Sequence, residues 1–157
     1  MKNIAFYPTF LGLIGIVEKN GAIAELFFGK EHKSTDCVEQ ETPLLKEAAR
    51  QLEEYLDGKL KSFDLPLALE GTDFQQTVWA TLRAIPYGET RTYKQVAEAM
   101  GNPEASRAVG AANNKNPILI ITPCHRVIGT DGKLVGYAAG LEVKEKLLEM
   151  EKTNANS

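Results

Sequence analysis

The chain has 157 residues, 43% of them apolar and 25% charged, and a formal net charge of −3. This composition is typical of a globular protein with one good core or two small ones, and it argues against a disordered chain. No apolar run approaches membrane-spanning length and no signal-peptide pattern follows Met1, so we expect a cytoplasmic protein with no membrane partner.

Cysteine and histidine usage argues against a disulfide framework and against a metal site. Cys37 and Cys124 can form at most one disulfide, which suits a reducing compartment and leaves Cys124 free. His32 and Cys37 are close in sequence but lack a CxxC or HxxxH companion. We therefore expect no zinc site and no cofactor.

The acidic charge is concentrated in the first part of the chain. Met1 to Ala68 carries 8 Lys/Arg against 11 Asp/Glu, whereas Leu69 to Ser157 balances at 10 against 10. Between Arg91 and Arg126, five basic residues face only Glu98 and Glu104. A local basic surface of this kind is sufficient for phosphate contact despite the negative total.

Residues 1–68 are predicted to form a supporting α+β domain. Strands are expected over Ile4 to Phe10, Leu13 to Val17 and Ala22 to Phe28, with the turn dipeptide Asn20-Gly21 between the last two. These strands would form a β-meander. The polar segment from Glu31 to Glu41 is predicted to be a loop.

A helix is predicted to follow Thr42-Pro43, because a capping residue precedes proline at the first helical position. Gly58 would end it. The expected apolar stripe is Leu45, Ala48 or Ala49, Leu52 and Leu56. No catalytic constellation or phosphate-binding loop occurs in this part of the chain.

Residues 69–157 are predicted to form a second, mostly helical domain, entered through a linker at Leu65 to Gly71. Its first helix would begin at Thr72 and end at Pro86-Tyr87-Gly88, with Trp79 in the core. The apolar residues that recur at helical spacing are Phe74, Val78, Leu82 and Ile85.

Two short helices with a tight turn between them are predicted next. Thr92 and Gln95 form a capping box, and Gly101 would end the helix that they open. Asn102-Pro103 would start a second helix that runs towards Asn114. This pattern is typical of a helix-turn-helix, although ordinary helical hairpins share it.

The second of these helices is rich in small residues, and Arg107 is its only long basic side chain. The small residues are Ala105, Ala108, Gly110, Ala111 and Ala112. Tight packing against another helix and close approach to nucleic acid explain this composition equally well. The neighbouring cysteine favours a nucleic-acid surface, with Arg107 projecting into the base stack.

The reactive segment of the chain is Pro123-Cys124-His125-Arg126-Val127, after an apolar run, Ile118 to Ile121, that predicts a buried strand. Cysteine acts as a nucleophile only as thiolate, so it needs a base or a positive charge that lowers its pKa. His125 and Arg126 offer both. The alternative is a structural cysteine beside a surface histidine, and the five residues together favour the reactive pair.

A hairpin is predicted after this segment, with Val127-Ile128 and Lys133 to Val135 on either side of Thr130-Asp131-Gly132. The small-residue loop from Gly136 to Gly140 would leave backbone donors beside the thiol.

The last helix, Leu141 to about Lys152, places Glu151 on the same stripe as Val143 and Leu147. A buried carboxylate needs a partner, and His125 would complete a Cys-His-Glu relay. The alternative is a frayed helix end with Glu151 in solvent.

These segments together resemble the methylated-DNA:protein-cysteine methyltransferases, or 6-O-alkylguanine-DNA alkyltransferases. The resemblance covers Thr72 to Glu151, whereas the N-terminal part matches only in size and in α+β character. It implies a ribonuclease-H-like small sheet plus helix, followed by a winged-helix or helix-turn-helix-like domain. The matching runs are Asn116 to Gly129, Arg91-Thr92-Tyr93, Gly101-Asn102-Pro103, Ser106 to Gly110 and Gly136 to Leu141.

The resemblance implies a monomeric suicide repair protein that binds the minor groove of double-stranded DNA. Cys124 would take the alkyl group from O6 of guanine, with O4 of thymine as a further candidate, and keep it as a thioether. His125 would deprotonate Cys124 through a water and be oriented by Glu151. Tyr93 would donate a proton to the departing base and help rotate the phosphate of the lesion.

The resemblance also implies binding roles. Arg107 would fill the gap left by the flipped nucleotide, and Asn116 would brace the turn before the Cys loop. Carbonyls of Cys124 and Val127 would read the exocyclic amine. The further substrate or DNA contacts it implies are Arg126, Tyr137, Ala138 and Ala139. Extrusion of the base is physically required, because the attacked atom is inaccessible inside a duplex.

Thr122 and Ala138-Ala139 depart from the usual family pattern. Thr122 stands where an aliphatic residue is commoner, and a side chain at Ala139 narrows the pocket for bulky alkyl groups. The sequence has no N-terminal cysteine cluster, so the zinc-bearing phosphotriester-repair domain of some relatives is not expected.

Three other functions remain open at this point. A non-catalytic alkyltransferase-like lesion binder would lack Cys124. A helix-turn-helix regulator would explain Thr92 to Asn114 but not the Cys-His pair. A cysteine hydrolase would use the same Cys, His and Glu, but it would turn over.

Overall fold

The computed structural model describes residues 2–30 and 36–155. The chain divides into two compact units, Met1–Glu70 and Gly71–Ser157. The predicted α+β class is confirmed, because the first unit carries a four-stranded sheet and the second is mostly helical.

The strands of the first unit are β1 (Lys2–Thr9), β2 (Gly12–Lys19), β3 (Ala22–Phe28) and β4 (Cys37–Glu39), and they form one sheet in the order β3-β2-β1-β4. The strands β1, β2 and β3 form the predicted antiparallel meander, and β4 pairs in parallel with β1. The predicted loop from Glu31 to Glu41 is therefore wrong at β4, a three-residue strand held by backbone pairing with β1 that the surrounding polar sequence does not signal. Residues 31–35, including His32, lie outside the described residues.

Helix α1 (Pro43–Leu56) begins as predicted, because the Thr42 hydroxyl accepts a hydrogen bond from the Leu45 N–H at 3.1 Å. Its buried face differs from the predicted stripe in two respects, because Gln51 is also buried and Tyr55 takes the place of Leu56. Tyr55 is fully buried, whereas Leu56 is only half-buried. The core of this unit comes from the sheet and from α1: Ile4, Ile14, Ile16, Val17, Ile23, Leu26, Leu45, Leu52 and Tyr55.

The second unit contains four α-helices and one short parallel strand pair among its described residues. They are α2 (Asp73–Arg83), β5 (Arg91–Thr92), α3 (Tyr93–Ala99), α4 (Ser106–Asn114), β6 (Val127–Ile128) and α5 (Leu141–Asn154). Trp79 is 1% exposed, and its indole N–H donates to the Ala112 carbonyl at 2.9 Å. The predicted core position of Trp79 is confirmed, and this bond ties α2 to α4.

The predicted capping box of α3 is confirmed, whereas the predicted start of α4 is wrong. Thr92 and Gln95 bond each other's backbone N–H groups. At the C-terminal end of α3, the Asn102 N–H donates to the Ala97 carbonyl, and Gly101 adopts φ 77°. Because Asn102 belongs to this C-cap, α4 begins only at Ser106.

The segment before Cys124 is a buried turn and not the predicted strand. Two backbone bonds close within the segment, from Thr122 N to Ile118 O at 3.1 Å and from Ile121 N to Leu119 O at 2.8 Å. Ile120 adopts φ 70°, a conformation that a β-branched residue rarely takes. Apolar residues are present because the site is buried, and burial alone does not distinguish a strand from a turn.

The predicted hairpin after Cys124 is also wrong. Val127–Ile128 pairs in parallel with Arg91–Thr92, and residues 133–135 form no strand. A turn is nevertheless present, because Gly129 N bonds to Lys133 O at 2.9 Å. Among the described helices, none combines the length and the apolar character needed to cross a membrane.

Candidate active site

Cys124 opens a short 3-10 turn, Cys124–Arg126, directly after the buried turn. Its N–H donates to the Thr122 carbonyl at 2.8 Å, and the residue is 3% exposed. The side chains that interact with it are the Asn116 amide, the Lys144 ammonium and the rings of Tyr93 and Tyr137. Both tyrosines are half-buried.

The thiol is not the low-pKa group that the sequence led us to expect. Burial raises the pKa of Cys124 to about 11, although a hydrogen bond from Asn116 and the charge of Lys144 act in the opposite direction. The physical reason is that desolvation of a thiolate outweighs these two contacts. In the free protein Cys124 is therefore a protonated thiol at neutral pH.

His125 and Glu151 form the predicted pair. The imidazole Nε2 lies 2.8 Å from Glu151 Oε2, and both residues are fully buried. The alternative of a frayed helix end is wrong, since α5 continues to Asn154. Burial favours a raised pKa for Glu151, yet the hydrogen bonds from His125 and Arg126 lower it to about 2. Burial lowers the pKa of His125, so the imidazole is neutral.

Arg126 does not face the thiol or the solvent, which corrects the expectation that it activates Cys124 and contacts DNA. Its guanidinium donates to both oxygens of Glu151, at 2.8 and 2.9 Å, and to the Ile85 carbonyl at 2.8 Å. The residue is 7% exposed. A buried guanidinium requires such a partner, and the carboxylate on α5 supplies it.

Asn116 and Tyr93 both lie close to Cys124. The Asn116 amide donates to the Thr122 carbonyl at 2.8 Å, and its oxygen accepts from the Ile118 N–H at 3.0 Å. It thereby spans the turn that carries Cys124. Burial and the proximity of Cys124 raise the pKa of Tyr93, so its phenol keeps its proton.

Helix α4 separates its small residues between two faces. Val109, Ala112 and Asn113 are buried, which explains part of the composition by tight packing. Arg107, Ala108, Ala111 and Asn114 are exposed, so packing explains nothing about this second face. A smooth exposed surface with one long basic side chain therefore exists beside Tyr93, the ring of which would lie 3.7 Å from a Cβ at Gly110.

Lys144 is the site residue that the sequence reading missed. It is fully buried, and its ammonium donates to the carbonyls of Val127, Val135 and Gly136 at 2.6, 2.9 and 3.2 Å. The resemblance assigns the Val127 carbonyl to recognition of the exocyclic amine of guanine. In this structure that carbonyl already accepts a hydrogen bond from Lys144. Lys144, Leu147 and Glu151 follow a helical i, i+3, i+7 spacing. This spacing is the signal in the sequence that places Lys144 on the buried face of α5.

The loop from Gly136 to Gly140 covers this lysine and borders the histidine. The Tyr137 ring packs edge-on against His125 with centroids 6.4 Å apart, and its hydroxyl bonds to no described residue. Ala138 is exposed and Ala139 half-buried. Within residues 2–30 and 36–155, no three His, Cys, Asp or Glu side chains are grouped so as to hold a metal ion.

Two family models match this chain. Residues 4–69 match the ribonuclease-like domain of 6-O-methylguanine DNA methyltransferase, and residues 73–153 match its DNA binding domain.

Relatives and solved structures agree with these matches. A methylated-DNA–protein-cysteine methyltransferase of Methanosarcina barkeri is 68% identical over 109 residues, 69% of each chain. The constitutive one of Bacillus subtilis is 47% identical over 151 residues, 92% of each chain. The crystal structure of Mycobacterium tuberculosis OGT in complex with DNA is 42% identical with a TM-score of 0.91, over 97% of this chain and 94% of the other. With both units matched and the relatives covered over more than two thirds of their length, this chain belongs to the 6-O-methylguanine DNA methyltransferase family.

Proposed function

We propose that this chain repairs duplex DNA by transferring the alkyl group from O6 of guanine to its own Cys124, once per molecule. The observation that carries the proposal is the joint burial of Cys124, His125 and Glu151 beside a smooth exposed helix with Arg107 on it. We further propose a monomer that acts in the cytoplasm, with O4 of thymine as a second substrate atom.

The ionised Glu151 selects the tautomer of His125. The Glu151 carboxylate accepts a hydrogen bond from Nε2 of His125. The neutral imidazole therefore carries its hydrogen on Nε2, and Nδ1 is the nitrogen that can accept a proton. Nδ1 then takes the thiol proton of Cys124 through a water. The imidazolium that forms is stabilised by the Glu151 charge.

The transfer is a displacement at the alkyl carbon. The Cys124 sulfur forms a bond to that carbon while the bond from carbon to O6 breaks, and the departing guanine takes a proton from Tyr93. The Tyr93 phenolate regains a proton from the His125 imidazolium through solvent, so both side chains end neutral. Because burial raises the pKa of Cys124 to about 11, the thiol depends on His125 for removal of its proton. The product is a thioether, which no group of the site can cleave.

DNA would approach the exposed face of α4. Arg107 would take the place of the extruded base, and Ala108 and Ala111 would allow the helix close to the minor groove. Tyr93, Tyr137, Ala138 and Ala139 would border the extruded guanine. The Cys124 carbonyl and the free lone pair of the Val127 carbonyl would accept from the exocyclic amine.

Mass spectrometry of the protein after incubation with duplex DNA that contains 6-O-methylguanine tests the proposal. We expect a stoichiometric gain of one methyl group on the Cys124 peptide and none on the Cys37 peptide. Cys124→Ser should bind the same DNA and gain no methyl group.

The same measurement separates the rival functions. Unmodified protein with bound DNA would support a lesion-binding protein or a regulator. Demethylated DNA with unmodified protein would support a hydrolase. Either result would overturn the proposal.

A further inference from the structure

We propose that Arg83 is a positioning residue for Cys124 and that it acts through the hydroxyl of Thr122. The Arg83 guanidinium nitrogen Nη1 donates to Thr122 Oγ1 at 3.0 Å. This inference rests on the proposed transfer to Cys124, and it assigns a role to the threonine that departs from the aliphatic family pattern.

Thr122 is fully buried, and each of its polar groups is hydrogen-bonded. Its N–H donates to Ile118 O at 3.1 Å, and its carbonyl accepts from the Asn116 amide and from the Cys124 N–H, both at 2.8 Å. Its hydroxyl accepts from Arg83. A displacement of Thr122 therefore moves the backbone of Cys124, since the two residues share a hydrogen bond.

The turn that Thr122 ends needs restraint. Ile120 adopts φ 70°, and a β-branched residue persists in that region only where the surroundings hold it. Asn116 spans the turn from within the same segment. Arg83 restrains it from a separate element, because Arg83 is the last residue of α2.

Helix α2 is held in place by the packing of its buried residues, so a side chain at its end can restrain a neighbouring segment. Val78, Trp79 and Leu82 of this helix are buried, and Trp79 is bonded to α4. A second arginine makes a hydrogen bond in the reverse sense, from the Cys segment to the chain just after α2. Arg126 Nη1 donates to the Ile85 carbonyl at 2.8 Å. The Cys segment is thus tied to the end of α2 both before and after Cys124.

This arrangement restrains the sulfur relative to His125 and to an incoming alkyl carbon. Displacement reactions are sensitive to misplacement of the nucleophile by an ångström or less. An aliphatic residue at position 122 would fill the space but could not accept the bond from Arg83. In this chain the guanidinium and the hydroxyl therefore act as a pair.

Single-turnover kinetics with saturating duplex DNA that contains 6-O-methylguanine test the pair. Arg83→Met removes the donor and keeps the length of the side chain, and Thr122→Val removes the acceptor and keeps its shape. Each variant should lower the limiting transfer rate by about tenfold, while the Kd for DNA, measured on a Cys124→Ser background, changes by less than about twofold. The double variant should be no slower than the slower single variant, because both changes break one bond.

Two further variants are controls. Arg83→Lys retains a donor and should recover part of the rate that Arg83→Met loses. Arg50→Met removes an exposed arginine of α1, which bonds only to Glu47 and Glu54 among the described residues, and it should leave the rate unchanged.

The outcomes are separable. If the wild-type protein gains no methyl group on Cys124, the proposed function fails. If the wild type is methylated and both single variants react at the wild-type rate, or the two losses multiply in the double variant, the positioning role alone fails. Thermal unfolding checks each fold, and if Arg83→Met does not fold, Thr122→Val decides the question because it removes no charge.

Discussion

The Glu151 carboxylate lies 2.8 Å from the His125 imidazole and accepts two further bonds from the Arg126 guanidinium. One residue of α5 thus holds both side chains that follow Cys124 in the sequence. The carboxylate sets the tautomer of the proposed base and also neutralises a buried cation, so the proposed chemistry and the stability of this unit depend on the same group.

Replacing Glu151 by Gln should destabilise the protein and slow the transfer. The substitution leaves the Arg126 guanidinium buried without a counter-ion, which costs about 3 kcal/mol in the free energy of unfolding. Urea denaturation measures this loss. Glu149→Gln on the exposed face of α5 is the matched control and should change the free energy by less than about 0.5 kcal/mol. Equal stability of the two variants would contradict the buried ion pair.

Stability should fall as the pH is lowered from about 5 towards 2. The pKa of Glu151 is lowered in the folded state from its ordinary 4.5 to about 2, so the unfolded chain binds the proton first. The contribution is complete above the unfolded pKa and is on the order of 3 kcal/mol. Burial also lowers the pKa of His125 below its ordinary 6.5, so the unfolded chain binds this proton first as well. Stability is therefore also lost through His125 as the pH falls below 6.5.

Urea midpoints between pH 7 and pH 2 measure this dependence. In Glu151→Gln the free energy of unfolding should depend less steeply on pH between pH 5 and pH 2. An unchanged slope in that variant would show that other groups cause the acid sensitivity.

Alkylation of Cys124 by iodoacetamide in the DNA-free protein should be slow at neutral pH. Burial raises the pKa of this thiol to about 11, and the rate follows the thiolate fraction, so it should rise about tenfold per pH unit between pH 7 and pH 10. Peptide mass spectrometry gives the rate at Cys124 separately from Cys37. The urea-unfolded protein is the control and should level off near the ordinary cysteine value, whereas a plateau below pH 9 in the folded protein would refute the shift.

Replacing Lys144 by Met should destabilise the second unit. The ammonium satisfies three backbone carbonyls, of Val127, Val135 and Gly136, and their loss leaves buried acceptors without donors. We expect a cost of about 2 kcal/mol in the free energy of unfolding. Lys146→Met is the matched control, since that side chain is 48% exposed and pairs only with Glu142 among the described residues. Equal effects would mean that the buried contacts contribute nothing.

Replacing Arg107 by Ala should separate duplex repair from the chemical step. Arg107 is exposed on α4, so its loss should slow methyl transfer from duplex DNA by about tenfold through weaker stabilisation of the extruded base. Reaction with free benzylguanine requires no extrusion and should be nearly unchanged. Parallel measurement of the two rates checks this, and equal losses would remove the role in extrusion.

Local signals in the sequence were sufficient for much of the fold. Thr42-Pro43 and the Thr92–Gln95 box begin α1 and α3 as predicted, because a cap satisfies backbone groups within four residues of itself. The buried position of Glu151 followed from helical periodicity, and its contact with His125 followed from the need of a buried carboxylate for a partner. The family resemblance rested on the residues around Cys124.

Only the tertiary structure decided the environment of those residues. The apolar run before Cys124 is a turn because its hydrogen bonds close on Asn116 and on itself, and Arg126 faces Glu151 because α5 packs over it. The pKa of Cys124 is raised because its burial is set by segments distant in the chain. Caps and periodicity are properties of neighbouring residues, whereas partners and desolvation depend on which distant residues meet, and no short window of sequence contains that information.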